Sequence, residues 1–138
     1  NWKNLWKKRF KNPLNDAESM RIDSSGYIKD IGQPVNNINE IDGQYIGLMK
    51  FQNNGIELIK KMYHKFKNES NLGINPLNPK LKFEESYLTD FLQALIKNEI
   101  KLKAIPIFGG WIEIDSMEDY NLYQKMYKEK SLSEFINI

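Results

Sequence analysis

Glu113 and Asp115 stand two positions apart at the end of an apolar run, Trp111-Ile112-Glu113-Ile114-Asp115. On an extended strand alternate side chains leave the same face, so both carboxylates can reach one point. Two hard oxygen donors at a strand end suit magnesium, which is commonly held by one or two carboxylates together with substrate phosphates. A helix opening at Ser116 would bring the positive end of its dipole to the same place. A blander reading of the spacing makes Glu113 an exposed strand residue and Asp115 part of the cap of the next helix. Other candidates are thin. His64, the single histidine, lies in a lysine-rich helical stretch and reads as a surface residue. One histidine builds no histidine metal site, and no serine has triad partners that can be argued. Gly109-Gly110 reads as a turn between strands or as a point of close approach to a ligand. Neither G-x-x-x-x-G-K-[ST] nor G-x-G-x-x-G occurs, so phosphate-cradling loops of those types are absent. Tyr45 and Trp111 can stack on a planar or cationic ligand, or can serve the core.

The elements that must position these residues follow from periodicity. Trp2, Leu5, Trp6 and Phe10 recur at helical spacing behind Asn1, a possible N-cap, and the helix should stop near Asn12-Pro13. Within it, Lys7-Lys8-Arg9 reads as one solvated face. Residues 18–23 and 27–31 read as a hairpin around Gly26. The run 45–51 reads as a buried strand. Asn53 or Asn54 opens a helix with the stripe Ile56, Ile59, Met62, Tyr63 and Phe66. An irregular stretch over 69–82 leads into a helix over 84–98 that carries Leu88, Phe91, Leu92, Leu95 and Ile96. Strands are expected over 101–108 and 111–114. Ser116 then caps a helix with Asp119 at the capping-box position and the stripe Met117, Tyr120, Tyr123 and Tyr127. Strands alternating with helices indicate an α/β layer structure.

Composition narrows the class. The chain has 138 residues, and 41% of them are hydrophobic, enough for a sizeable core. Lys and Arg number 20 against 18 acidic residues, a net +2 too small for a nucleic-acid footprint. No cysteine is present, which excludes disulfides and thiolate metal sites and fits a reducing cytoplasm, the expected location. No apolar run approaches the ~20 residues of a membrane span, so no membrane partner is expected.

Four blocks together resemble the sugar-phosphate type of nucleotidyltransferase, in particular the branch of phosphocholine and phosphonate cytidylyltransferases. They are Trp6-Lys7-Lys8-Arg9-Phe10-Lys11-Asn12-Pro13 with its continuation to Glu18, Gly43-Gln44-Tyr45-Ile46-Gly47-Leu48-Met49-Lys50-Phe51, the stretch from Tyr87 to Leu95 with Thr89-Asp90, and Ile105-Pro106-Ile107-Phe108-Gly109-Gly110-Trp111-Ile112-Glu113-Ile114-Asp115 with its continuation to Asp119. The last is the most specific. The resemblance implies a Rossmann-like α/β domain with a mixed sheet flanked by helices, of which residues 1–138 form the C-terminal, acceptor-side half. It implies a nucleoside triphosphate, with CTP favoured, and a small phosphorylated or phosphonate acceptor that displaces pyrophosphate. It implies Mg2+ on Glu113 and Asp115, acceptor contacts at Gln44, Tyr45 and Gly47, and a mainly structural role for Thr89-Asp90; Trp111 joins the substrate-binding candidates through its capacity to stack. The family's glycine-rich nucleotide loop and the aspartate that supplies its first metal ligand find no match here. Nor does the lysine that many relatives carry after the hairpin, where Asp30-Ile31-Gly32-Gln33-Pro34 stands. The chain is therefore expected to lack the nucleotide-binding half, to be inactive alone and to self-associate or pair with that half. A non-catalytic α/β binding or interaction module is the competing expectation.

Overall fold

The computed structural model describes residues 1–137. Four α-helices and one two-stranded sheet order the described residues: α1 (Trp2–Arg9), β1 (Met20–Ile22), β2 (Ile28–Ile31), α2 (Asn54–Asn71), α3 (Leu88–Lys97) and α4 (Met117–Lys128). Short 3-10 turns lie at Pro13–Asn15, Ile38–Glu40, Phe83–Glu85 and Leu132–Glu134. No described helix is long and apolar enough to cross a membrane.

The hairpin forms as its sequence dictates. Gly26 turns the chain at φ +80°, and β1 and β2 pair antiparallel with Arg21 opposite Asp30. That cross-strand pair is also an ion pair of 2.7 Å. Side chains help to satisfy the hairpin's remaining donors: Asp42 accepts from the Ile22 amide, and the buried Gln93 of α3 accepts from the Ile31 amide at 2.8 Å. α3 is thereby fastened to β2.

Two apolar clusters result. In the first, Ile31 of β2, Met62 and Phe66 of α2, and Phe91, Leu92 and Leu95 of α3 are buried together, with Phe83 beside them. In the second, Leu5 and Trp6 of α1 pack with Tyr123 and Met126 of α4 and with Leu132 and Phe135. The two ends of the chain therefore close on each other.

The expected mixed sheet is not found among the described residues; the sheet has two antiparallel strands. Of the run 101–108 only the part around Lys103 pairs, through an antiparallel bridge to Tyr27 with the Ile28 amide on Leu102 and the Ala104 amide on Gly26. Residues 45–51 and 111–114 form no strand. A strand is a ladder between two segments, and an apolar run without a neighbour to bond remains merely extended chain. Phe108 is accordingly 93% exposed and Ile105 79%. The expected helix over 84–98 is shorter, because a 3-10 turn precedes α3. Asp90 caps α3 at the Tyr87 amide and also takes a bond from Asn78, which agrees with a structural role.

Candidate active site

The acidic pair is built around a residue that the charge pattern hid. α1 presents Trp2, Leu5, Trp6 and Arg9 along one stripe, three and four residues apart. Far from lying on a solvated face, the Arg9 side chain is wholly buried. Its Nη1 donates to Glu113 Oε2 at 2.9 Å and its Nη2 to Asp115 Oδ2 at 2.7 Å. Its Nε and Nη2 grip both oxygens of Asp119, at 2.8 and 3.0 Å. The rings of Trp6 and Phe10 each lie 4.9 Å from the guanidinium carbon, a position that favours a desolvated cation. Burial alone would lower the Arg9 pKa, but the bonds to Asp119, Asp115 and Glu113 outweigh it and raise the pKa further above its ordinary range.

Asp119 owes its position to the start of α4. Ser116 Oγ accepts from the Asp119 amide, while Asp119 Oδ2 accepts from the amides of Asp115 and Ser116 and from Ser116 Oγ. The capping box thus forms with Asp in place of Glu. The Arg9 bonds, opposed by burial and aided by these donors, depress the Asp119 pKa to about 2. Glu113 moves the other way: burial raises its pKa, and the Arg9 bond only partly offsets this.

Residues 111, 113 and 115 show the alternation expected of extended chain, each turned to α1. Trp111 stacks on Trp6 with centroids 6.1 Å apart and planes 14° from parallel, while Glu113 and Asp115 meet Arg9. Both carboxylates of the pair therefore meet one guanidinium, each on its own nitrogen.

Beside the pair lies a cavity of about 290 Å³ lined by Asp16, Glu18, Gln44, Tyr45, Ile46, Gly47, Glu113 and Asp115. Gln44, Tyr45, Gly47, Glu113 and Asp115, named on sequence grounds, meet here; Trp111 is not in the lining. Gln44 Oε1 and Tyr45 Oη are buried without a hydrogen-bond partner, which is costly unless something supplies one. Burial, and secondarily Glu18, raises the Tyr45 pKa. Gly47 has φ +76° and nothing within 4 Å of the place where a Cβ would stand. Four carboxylates line the space and no Lys or Arg does.

Magnesium fits this donor set in a limited way. Glu113 and Asp115 each spend one oxygen on Arg9, and among the described residues the other oxygen takes no hydrogen bond. No group of three or more acidic, histidine or cysteine side chains is gathered to hold a metal among those residues. A hard divalent cation here would have to draw its remaining ligands from water and substrate. His64 is exposed on α2, as expected. Arg9, Asp119, Asp16 and Glu18 escaped the sequence reading as site residues. For Arg9 a signal existed: it lies three residues after Trp6 and four after Leu5, on the apolar stripe.

No family model matches the chain, and no solved structure matches it. Over 118 residues it is 42% identical to the CTP:phosphoglutamine cytidylyltransferase of Campylobacter jejuni. The likeness is to a cytidylyltransferase. The match takes in 86% of this chain but 44% of the relative, so the chain spans less than half the length of the curated cytidylyltransferase it matches. The resemblance to cytidylyltransferase-type nucleotidyltransferases drawn from the motifs is borne out by this identity.

Proposed function

We propose that the chain is the acceptor-side part of a cytidylyltransferase that joins CTP to a small phosphorylated acceptor and releases pyrophosphate. An oxygen of the acceptor's phosphate attacks the α-phosphorus of CTP. The bond from that phosphorus to the bridging oxygen breaks, and the electron pair leaves with pyrophosphate. The reading is carried by one cavity into which Gln44, Tyr45, Gly47, Glu113 and Asp115 all come. The relative's own name adds CTP and phosphoglutamine as the substrates to try first.

Each residue has a part in this scheme. Glu113 and Asp115 would hold Mg2+, which supplies neutralisation of charge on the attacking and leaving oxygens. Without that charge a phosphate would be repelled by the four carboxylates of the lining. Gln44 and Tyr45 would form part of the wall against which the acceptor rests. Gly47 leaves room for the acceptor against its backbone. CTP would be held by parts of a longer protein outside these residues, as the relative's greater length supports.

The test is pyrophosphate release by the longer polypeptide with CTP and phosphoglutamine, then with phosphonate acceptors. Turnover is expected with at least one pair, and Glu113→Gln or Asp115→Asn should lower it about 100-fold. Silence with every acceptor, on a folded protein, would reject the reading.

A further inference from the structure

We infer that Arg9 is the positioning residue of the acidic pair, its buried guanidinium aligning Glu113 and Asp115 while leaving one oxygen of each for a divalent cation. This rests on the reading above that the pair holds such an ion.

The geometry makes the case. A guanidinium is planar, so its donors point in fixed directions. Arg9 has Nε and Nη2 on the two oxygens of Asp119, which fixes the plane of the fork. Asp119 is in turn immobilised by the amides of Asp115 and Ser116 and by Ser116 Oγ. The start of α4 therefore decides where Nη1 and Nη2 aim, and hence where Glu113 and Asp115 can sit. The extended segment carrying them has no strand partner among the described residues, so no backbone ladder aligns their side chains. α1 does so instead, through Trp6 against Trp111 and Arg9 against the carboxylates. One guanidinium against three carboxylates also leaves two negative charges uncompensated. The cluster can hold its shape and still attract a dication.

A role in charge alone and a role in alignment part company at substitutions that conserve every charge. Lysine keeps the positive charge but loses the fork, and Asp119→Glu keeps the negative charge but displaces the lock by a methylene. Mn2+ alone is titrated into the chain, and the free ion is read by electron paramagnetic resonance. Wild type should bind in a manner that Glu113→Gln and Asp115→Asn abolish. Folded Arg9→Lys and Asp119→Glu should each bind about tenfold more weakly, as for other side chains that orient metal ligands. Binding as tight as wild type, or tighter, in either folded variant overturns the inference, because Arg9 would then only screen the acids or compete with the ion.

The Arg9 Nε–H resonance of wild type gives a readout that does not depend on a variant folding. It should shift saturably as Mg2+ is added, and a resonance unmoved by saturating Mg2+ counts against the inference. Wild-type binding indifferent to Glu113→Gln and Asp115→Asn has a different meaning. There the metal-site reading itself has failed, and the role of Arg9 falls with it.

Discussion

The cluster around Phe66, Phe91 and Leu95 is closed by apolar side chains, whereas the one around Trp6 and Tyr123 is roofed by a guanidinium and three carboxylates. The first draws on elements from the middle of the chain. The second joins α1 to α4, with Arg9 and Asp119 110 residues apart in sequence. An apolar cluster loses stability in proportion to the volume and contacts removed. An ionic roof behaves as a set, since removing one member strands the charges of the others. The acidic pair belongs to the second arrangement, where polar groups are already held in place, while Tyr45 on the cavity wall packs against the first.

The largest expected effect comes from emptying the roof. Arg9→Met should destabilise the chain by about 4 kcal/mol, because the mostly buried Asp119 and the half-buried Glu113 lose their partner. Urea denaturation measures this, and a loss below about 1 kcal/mol would mean that the ionic roof is ornamental. In the apolar cluster, Leu95→Ala should cost about 3 kcal/mol by leaving a cavity at a fully buried position. Mn2+ binding should survive Leu95→Ala under folding conditions, because the bonds that hold the acidic cluster run between α1, the segment 113–115 and the start of α4.

Acid should separate the two clusters again. The folded pKa of Asp119, about 2, lies below its ordinary value of 3.8, so the folded state favours the ionised form. That stabilisation is complete above about pH 4 and is lost as the pH falls toward 2, a change of about 2 kcal/mol. Glu113, with its pKa raised, contributes the opposite slope just above the ordinary carboxylate range and blunts the onset. Stability measured against pH should therefore fall steeply only at the acid end. Leu95→Ala should shift the whole profile down without changing its shape, and Arg9→Met should flatten it. A profile for Arg9→Met parallel to that of wild type would place the acid sensitivity elsewhere.

The same contrast explains what the sequence disclosed. Met62 and Phe66, and Phe91, Leu92 and Leu95, fall on helical stripes and are buried as their spacing requires. Ser116 with Asp119 announced the start of α4, and Gly26 announced the hairpin turn. On α4 the stripe was misjudged: Tyr123 is buried but Tyr127 is 64% exposed, and Met126 takes its place against α1. The runs 45–51 and 111–114 look like strands because they are largely apolar and include aromatic residues and isoleucines. Strand identity, however, depends on a neighbour that local pattern does not contain. Arg9 misled for a related reason. Beside Lys7 and Lys8 its charge looked solvated, and the partners that justify burying it come from the far end of the chain. In the acceptor cavity the motif residues were legible, but Asp16 and Glu18 were not, because nothing local marks a surface acid as the wall of a cavity.

The smallest effect tests whether the helix start and the roof are one unit. Ser116→Ala removes the side chain that accepts from the Asp119 amide and donates to Asp119 Oδ2. Losing such a cap should cost about 1 kcal/mol. Asp119 Oδ2 is also held by Arg9 Nη2, so Ser116 and Arg9 share a partner and their effects should not add. Combined with Arg9→Lys, Ser116→Ala should therefore cost measurably less than it does alone, since the lock it supports is already loose. Combined with Leu95→Ala it should add within about 0.5 kcal/mol, because the two sites have no partner in common. Strict additivity with Arg9→Lys would make the capping box and the ionic roof independent, and the start of α4 would then have no part in aiming the carboxylates.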